Sequence, residues 1–224
     1  MPANAETQDL NIYIQRGPID TKKRQLIITL DFIQFEDNSG LDPFTLFQKE
    51  EVCEYRYGIN WIRGFEFTIG REYVILIRDS SGRTMKISFK SFYGRRKKEY
   101  HKLSNDILTT LWYCFFGNMA NDYFNKIKKG EDITIGRALI TKDAIIVDEG
   151  GILKKDKKVI PWQDLGMKDY HTYFAIFSKD NAAKAHATFS YFKDWNTGIL
   201  FSIIKTFLNN MELNKSWAAN KTAE

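Results

Sequence analysis

Ile28-Thr29-Leu30-Asp31-Phe32-Ile33-Gln34-Phe35-Glu36-Asp37 is matched, 112 residues further along the chain, by Ile140-Thr141-Lys142-Asp143-Ala144-Ile145-Ile146-Val147-Asp148-Glu149. Residues 88–92 then match 188–192 at an offset of 100, with Tyr73 matching Tyr173 at the same offset. A helical pattern beginning at Ile107 matches one beginning at Ile199, at an offset of 92. Three matches in the same order are typical of a repeated structural unit. The sequence therefore predicts an internal duplication.

The falling offset locates the length differences between the two copies. The first copy carries twelve extra residues between Asp37 and Tyr73, and eight more between Phe92 and Ile107. Loops and the ends of helices accommodate such changes while the packed positions stay the same.

Composition and length agree with two small globular domains. The chain has 224 residues, of which 43% are hydrophobic and 15% aromatic, so a packed core is expected for each half. The predicted organisation is a first domain at 10–119, a helical linker at 120–130, a second domain at 131–212 and a flexible tail at 213–224. A net charge of +5 favours anionic partners without specifying one.

Short apolar segments separated by turn residues predict antiparallel strands. In the first copy they cover 25–35 (a strand pair or one bent strand), 51–61, 65–68, 73–78 and 84–89. In the second they cover 133–140, 144–147, 159–165, 173–177 and 184–189. Because no helix separates them, the predicted fold class is α+β and mainly β, an antiparallel sandwich or barrel in each copy.

One amphipathic helix closes each copy in this prediction. Ser104-Asn105-Asp106 supplies capping side chains for the first helix, and Asn196-Thr197 for a second helix at 198–211. Apolar residues recur from Ile107 to Phe116 at i, i+1, i+4, i+5, i+8 and i+9, which predicts a wide stripe docked on the sheet.

The second copy resembles bacterial pleckstrin-homology-like domains. The residues that carry this resemblance are Gly136-Arg137-Ala138-Leu139-Ile140-Thr141, Asp143-Ala144-Ile145 and Val159-Ile160-Pro161-Trp162-Gln163-Asp164-Leu165. The first copy lacks the Pro-Trp pair, so its assignment depends on the repeat. The resemblance implies two tandem barrels, each capped by its helix. It does not imply one function, because this fold hosts lipid, peptide and protein binding.

Two basic runs are the candidate ligand-binding residues, both for an anionic headgroup: Lys154, Lys155, Lys157 and Lys158 in the second copy, and Arg95, Arg96, Lys97 and Lys98 in the first. Lysines and arginines suit phosphates because several charges can converge on one group. In the family that the chain resembles, the loop between the first two strands can hold such residues. The alternative for both runs is a solvated surface.

Residues typical of catalysis are scattered along the chain. His101, His171 and His186 lack metal-ligand spacing, and Cys53 and Cys114 are too few for a disulfide framework or a zinc site. We therefore expect no enzyme activity, no cofactor and no metal. Trp61, Trp195 and Trp217 have no predicted place in the core, and an exposed aromatic patch would indicate a protein partner.

The sequence thus predicts a non-enzymatic binding or scaffold protein that acts through protein–protein contacts or self-association. The alternative is a peripheral membrane module that binds anionic phospholipid headgroups through its basic loops. Nucleic acid is not an expected partner, since it would need a continuous basic face. The absence of a signal-peptide pattern predicts a cytoplasmic location, with the inner face of the membrane as the site of any peripheral association.

Overall fold

The chain forms two compact units, Met1–Asn118 and Met119–Glu224. The structure is a computed structural model that describes residues 9–37, 43–148, 157–181 and 186–221, with side chains as far as Met211.

The first unit contains two antiparallel sheets followed by a helix. A four-stranded sheet has the order β1-β2-β3-β4, and a three-stranded sheet has the order β5-β6-β7. The strands are β1 Leu10–Gln15, β2 Lys23–Ile28, β3 Phe32–Phe35, β4 Thr45–Gln48, β5 Val52–Arg63, β6 Thr68–Asp79 and β7 Thr84–Phe92. Helix α1 spans Lys97–Leu111, a π-helical turn spans Trp112–Phe116, and α2 spans Gly117–Lys128 across the boundary between the units.

The second unit has the same order of elements. Its sheets are β11-β10-β9-β8, with four strands, and β12-β13-β14, with three. The strands are β8 Ile133–Ile135, β9 Ala138–Ile140, β10 Ala144–Asp148, β11 Lys157–Pro161, β12 Leu165–Asp169, β13 Tyr173–Ser178 and β14 His186–Ser190, and helix α3 spans Thr197–Lys221. The predicted class, mainly β with antiparallel sheets, is therefore confirmed.

A threonine turn links two strands at the same place in each unit. The hydroxyl of Thr29 donates to the Phe32 carbonyl and accepts from the Phe32 amide, closing the turn between β2 and β3. The hydroxyl of Thr141 makes the same two bonds with Ala144 between β9 and β10. These are the positions matched at the 112-residue offset, so the sequence match corresponds to a local structural match.

A 3₁₀ turn connects the two sheets in each unit, at Lys49–Glu51 and at Trp162–Asp164. The Lys49 amide donates to the Asp31 carbonyl at 2.8 Å, and the Trp162 amide donates to the Asp143 carbonyl at 3.1 Å. The Trp162 indole also donates to the Thr141 carbonyl at 3.0 Å and stacks on Phe207. The Pro-Trp pair therefore ends β11 and fills the core of the second unit.

Aromatic pairs across neighbouring strands form the core of each three-stranded sheet. Tyr73 pairs with Phe89 at a ring distance of 5.3 Å, and Phe174 pairs with Phe189 at 5.2 Å. All four rings are almost completely buried. Stacked aromatic pairs of this kind add about 0.5–1.5 kcal/mol beyond their area burial. The first helix reaches this core through Tyr100, whose ring lies 5.2 Å from Phe89.

The match between Tyr73 and Tyr173 is wrong by one residue. Tyr73 is 2% exposed and faces the core, whereas Tyr173 is 36% exposed and stacks on Tyr170. The structural counterpart of Tyr73 is Phe174, because each pairs with the equivalent phenylalanine, Phe89 or Phe189. Successive strand residues point to opposite faces, so a shift of one residue exchanges core for surface.

Several predicted elements differ from those observed. Strands β1 and β4 were not predicted, and residues 65–67 are a turn leading into β6, which begins at Thr68 and also contains the predicted segment 73–78. The predicted strand 133–140 is two strands, β8 and β9, and the predicted strand 159–165 is divided between β11, the 3₁₀ turn and the first residue of β12. Helix α1 begins at Lys97, so Ser104 lies buried inside it and caps nothing. The Thr197 hydroxyl donates to the Ser190 and Asp194 carbonyls, and α3 continues past the predicted end at Met211 to Lys221.

The structure shows where the two length differences between the units lie. Val52 and Leu165, which follow the two 3₁₀ turns, are 113 residues apart, whereas Tyr73 and Phe174 are 101 apart, so the twelve extra residues lie in the β5–β6 hairpin. Helix α1 has ten residues before Ile107, and α3 has two before Ile199. The eight extra residues are therefore about two added turns at the start of α1.

Candidate functional site

The lengthened hairpin ends in a tip that extends past the rest of its sheet. Strands β5 and β6 have twelve residues each, but β7 pairs with β6 only as far as Gly70. The amide of Gly64 donates to the Phe67 carbonyl at 2.7 Å and closes the turn. We call residues 61–71 the hairpin tip.

The hairpin tip exposes three large aromatic side chains. Phe65 is fully exposed, Phe67 is 65% exposed and Trp61 is 49% exposed. Full burial of such a side chain is worth about 1.5–3 kcal/mol, so displaying three together forgoes a large stabilisation. A contiguous exposed apolar patch is typical of an interaction surface.

A cation–π contact fixes the side of the hairpin tip on which Trp61 lies. Trp61 and Arg71 are directly opposite each other on β5 and β6, and the Arg71 guanidinium lies 4.7 Å from the centre of the Trp61 ring. Such a contact contributes about 0.5–1 kcal/mol at an exposed site. The indole therefore lies beside a positive charge, and the two phenylalanines lie further along the hairpin, in its turn.

The segment between β7 and α1 lies against the base of the hairpin tip. The Tyr93 amide donates to the Ile69 carbonyl at 2.9 Å, and Tyr93, Gly94 and Arg96 all have positive φ. The Ser91 hydroxyl donates to the Arg95 carbonyl at 2.6 Å and stabilises this reversal. Tyr93, two residues before the predicted basic run of the first copy, therefore lies at the base of the hairpin tip.

Within the basic run, Arg96 has a structural role while the other three cations are exposed. The guanidinium of Arg96 forms an ion pair with Glu99, donates to Gln15 Oε1 at 3.1 Å and lies over the Tyr100 ring. Its hydrogen bonds to Glu99 raise the pKa of Arg96 and lower the pKa of Glu99. Arg95, just before α1, and Lys97 and Lys98, in its first turn, are exposed.

We call the resulting surface the aromatic–basic end of the first unit. It comprises Trp61, Arg63, Phe65, Phe67, Arg71, Tyr93, Arg95, Lys97 and Lys98. Across residues 61–71 and 93–99 there are six lysines and arginines but only two glutamates. A net positive charge therefore coincides with exposed aromatic rings.

The second basic run is only partly described. Lys154 and Lys155 lie outside the described residues. Lys157 is exposed on β11 opposite Asp148, while Lys158 is half-buried and its ammonium donates to the His186 carbonyl at 3.4 Å. Neighbouring residues of a strand point to opposite faces, so Lys157 and Lys158 do not converge on one point.

The histidines and cysteines do not come together. His101 lies on the exposed side of α1, His171 occupies the turn between β12 and β13 with a φ of 65°, and His186 is exposed on β14. Within the described ranges, no three histidine, cysteine or acidic side chains form a group that could hold a metal ion. Burial raises the pKa of the Cys53 and Cys114 thiols, which lowers their reactivity.

A cleft of about 400 Å³ in the first unit carries mixed charge. It is lined mainly by residues 16–20 and by side chains of β6 and β7, including Arg16, Glu72, Lys86 and Lys90. Although burial opposes ionisation of Glu72, bonds from Asn60 and Lys86 outweigh it and lower the pKa of that carboxyl. The ionised Glu72 pairs with Lys86 at 3.3 Å, so it would oppose an anionic ligand in this cleft.

Sequence reasoning found Trp61 and the basic run but missed Arg63, Phe65, Phe67 and Arg71 as surface residues. It interpreted Phe65–Thr68 as a strand because aromatic residues favour strands. The signal that identifies them is the length difference itself. Twelve extra residues that contain Ile62-Arg63-Gly64 between aromatic segments indicate a longer hairpin with a new tip.

No protein-family model and no curated protein sequence matches this chain. Among the described residues, no helix combines the length and the apolar character needed to cross a bilayer.

Proposed function

We propose that the protein is a non-enzymatic binding module built from two copies of a pleckstrin-homology-like fold. The shared order of four strands, a 3₁₀ turn, three strands and a helix supports this proposal. So do the threonine turns at Thr29 and Thr141, which make the same bonds in both units. Because a fold does not determine function, the ligand must be inferred from the surface.

The ligand that the aromatic–basic end favours is an anionic membrane surface. The observation that carries this proposal is the hydrogen bond from Tyr93 to Ile69, which holds the segment just before the basic run at the base of the aromatic hairpin tip. Aromatic rings at headgroup level and nearby lysines and arginines are the usual components of interfacial binding. This second hypothesis from the sequence thus takes precedence over a protein partner.

The position of the lysines adds to the argument. Lys97 and Lys98 occupy the first turn of α1, where the helix dipole disfavours positive charge by about 0.3–1 kcal/mol each. Each lysine or arginine close to an anionic bilayer contributes about 1 kcal/mol to binding. Binding to phosphate headgroups would offset the local cost.

A protein partner remains the second candidate. The hairpin tip pairs Trp61 with Arg71, and tryptophan and arginine are both enriched at the centres of protein interfaces. The rings that would enter a lipid headgroup layer would then fill pockets on the partner. The two candidates use the same residues and differ in the ligand.

Vesicle sedimentation tests the membrane proposal. We expect the protein to sediment at low salt with vesicles of phosphatidylcholine and phosphatidylserine, and not with phosphatidylcholine alone. Replacing Arg95, Lys97 and Lys98 by glutamine should weaken binding about 100-fold, since three charges are removed. A matched control replaces the exposed Lys126, Lys129 and Lys142 by glutamine, which removes the same charge elsewhere.

Two results would contradict the proposal. Equal weakening by both triple variants would mean that only the net charge matters and not this surface. Loss of binding in a variant with Lys154, Lys155, Lys157 and Lys158 all replaced by glutamine, with the first triple variant unaffected, would assign the membrane contact to the second unit.

A further inference from the structure

We propose that the hairpin tip is a membrane-insertion element, in which Phe65 and Phe67 enter the boundary of the acyl chains while Trp61 and Arg71 stay at headgroup level. This inference rests on the proposed membrane association but adds a separate apolar contact. Its ligand is the lipid interface itself, whereas the basic run binds headgroup charge.

The dimensions of the hairpin tip match the thickness of a headgroup layer. Trp61 pairs with Arg71 two residues before the last pair, Arg63 with Thr68, and a strand rises about 3.3 Å per residue. The phenylalanines in the turn therefore lie about 10 Å beyond the Trp61–Arg71 pair. The polar layer on each side of a bilayer is about 5–8 Å thick, so the turn can pass it while the pair remains within it.

The chemistry along the hairpin tip follows the same order. The two most exposed aromatic side chains of the hairpin tip, Phe65 and Phe67, lie in the turn and carry no polar group. Trp61 and Arg71 follow, and an indole beside a guanidinium suits the level of phosphates and glycerol. Glu66, between the phenylalanines, limits insertion to the boundary because a carboxylate is costly in hydrocarbon.

Charge distinguishes a lipid surface from a second copy of the chain. Residues 61–71 and 93–99 carry six cations against two carboxylates, and the chain as a whole has a net charge of +5. Two such ends brought together would repel each other, whereas an anionic bilayer attracts them. The observations therefore favour lipid as the occupant of this surface.

The first experiment measures insertion through the fluorescence of Trp61. Wild-type protein and the variant Trp61→Phe are bound to phosphatidylcholine–phosphatidylserine vesicles that contain lipid brominated close to the headgroup end of its acyl chains. We expect quenching of wild-type fluorescence that is absent when Trp61 is replaced, since bromine quenches only indoles that lie near it. The variant corrects for the other four tryptophans.

The second experiment removes the apolar contact. Phe65→Ser with Phe67→Ser should weaken vesicle binding at least about 20-fold at physiological salt, where charge is screened and apolar burial is not. Glu66→Gln should strengthen binding about five-fold, because it removes a like-charge repulsion and the cost of carrying a carboxylate to the boundary. The control is Tyr113→Ser, which removes an exposed aromatic side chain about 24 Å along the helix from Lys97.

The experiments distinguish failure of the insertion proposal from failure of the membrane association itself. Normal vesicle binding by the double serine variant, with no Trp61-specific quenching, overturns insertion and leaves the electrostatic association intact. Absence of vesicle binding by the wild-type protein overturns both proposals. Self-association in sedimentation velocity that the double serine variant abolishes would overturn insertion and make the tip a contact between copies.

Discussion

The two units of this chain share their framework and differ at one end. Both have a four-stranded sheet, a 3₁₀ turn, a three-stranded sheet and a helix, and both place a stacked aromatic pair at the same register. The first unit has twelve more residues in its β5–β6 hairpin and eight more at the start of its helix. In the second unit the corresponding strands, β12 and β13, have only five and six residues.

The difference shows where this architecture accommodates a new surface. The two insertions of the first unit are far apart in sequence, but the hydrogen bond from Tyr93 to Ile69 holds the segment that leads into α1 against the β5–β6 hairpin. One insertion carries exposed aromatic rings and the other carries exposed cations. Added together at one end of the first unit, they create a larger aromatic and basic surface than the corresponding hairpin of the second unit presents, where Tyr170, Tyr173 and Lys168 lie together.

The largest expected effect tests whether Tyr73 corresponds to Phe174 or to Tyr173. Phe174→Ala should lower the free energy of unfolding by about 3–5 kcal/mol, as should Tyr73→Ala in the first unit, because each removes a buried ring. Tyr173→Ala should cost less than about 1 kcal/mol, since Tyr173 faces solvent. Urea denaturation of the three variants measures this. A larger cost at Tyr173 than at Phe174 would restore the alignment predicted from the sequence.

The next effect concerns a turn that differs between the units. Asp79, buried at the end of β6, accepts bonds from the Ser81 amide and hydroxyl and from the Arg83 amide and guanidinium. Ser178 occupies the corresponding end of β13. Asp79→Asn should destabilise the first unit by about 2 kcal/mol at neutral pH, because hydrogen bonds to a charged group are lost.

This effect depends on pH. Burial opposes ionisation of Asp79, but its hydrogen bonds outweigh burial and lower its pKa below the ordinary value. A carboxyl with a depressed pKa stabilises the fold fully above its unfolded pKa, near 4, and loses that contribution as the pH falls through the folded value. The difference in unfolding free energy between wild type and Asp79→Asn should therefore shrink below about pH 4. A difference that persists unchanged in acid would contradict this role.

A smaller effect tests whether the threonine turns are equivalent. Thr29→Val and Thr141→Val keep the side-chain shape but remove the hydroxyl that bonds Phe32 or Ala144. Each should cost about 1 kcal/mol of unfolding free energy, with the two values within about 0.5 kcal/mol of each other. Equilibrium denaturation gives both values. A cost in one unit only would show that the repeated motif has different roles.

The smallest effect on stability comes from removing the turn of the hairpin tip. Replacing residues 64–67 by Asn-Gly joins Arg63 to Thr68, the last pair of the hairpin, through a short turn and keeps the Ile69 carbonyl that accepts from Tyr93. Because the removed side chains are mostly exposed, the unfolding free energy should change by less than about 1 kcal/mol. Vesicle binding, in contrast, should fall at least as far as in the double serine variant. A large loss of stability would mean that the tip belongs to the fold.

Much of the framework is predictable from local patterns. The antiparallel strands and the helices follow from apolar periodicity and from turn residues, and the offsets gave the correct number of extra residues in each insertion. The predicted helix start was wrong because Ser104-Asn105-Asp106 resembles a cap, whereas the helix begins at Lys97 after the chain reverses at Tyr93–Arg96. Local capping preference was overridden by packing of Tyr100 against Phe89.

The candidate surface was harder to predict because it depends on contacts between distant residues. Arg95, Lys97 and Lys98 were recognised as a basic run, and Trp61 as a tryptophan with no place in the core. Nothing in the sequence spacing indicated that the basic run and Trp61 would lie at the same end of the first unit. Phe65 and Phe67 were assigned to a strand, since composition alone does not separate a buried aromatic residue from one in an exposed turn.

The sequence by itself determined the class of structure, mainly β with antiparallel sheets, because this follows from periodicities of a few residues and from turn residues; its internal matches also predicted the two length differences. Only the tertiary structure decided the register of Phe174 and the side of the sheet on which each aromatic residue lies. It also decided that the segment leading into α1 lies against the β5–β6 hairpin. These features depend on strand pairing, which joins Phe174 to Phe189 fifteen positions away, and on the backbone reversal after β7, which brings Tyr93 to Ile69 twenty-four positions away.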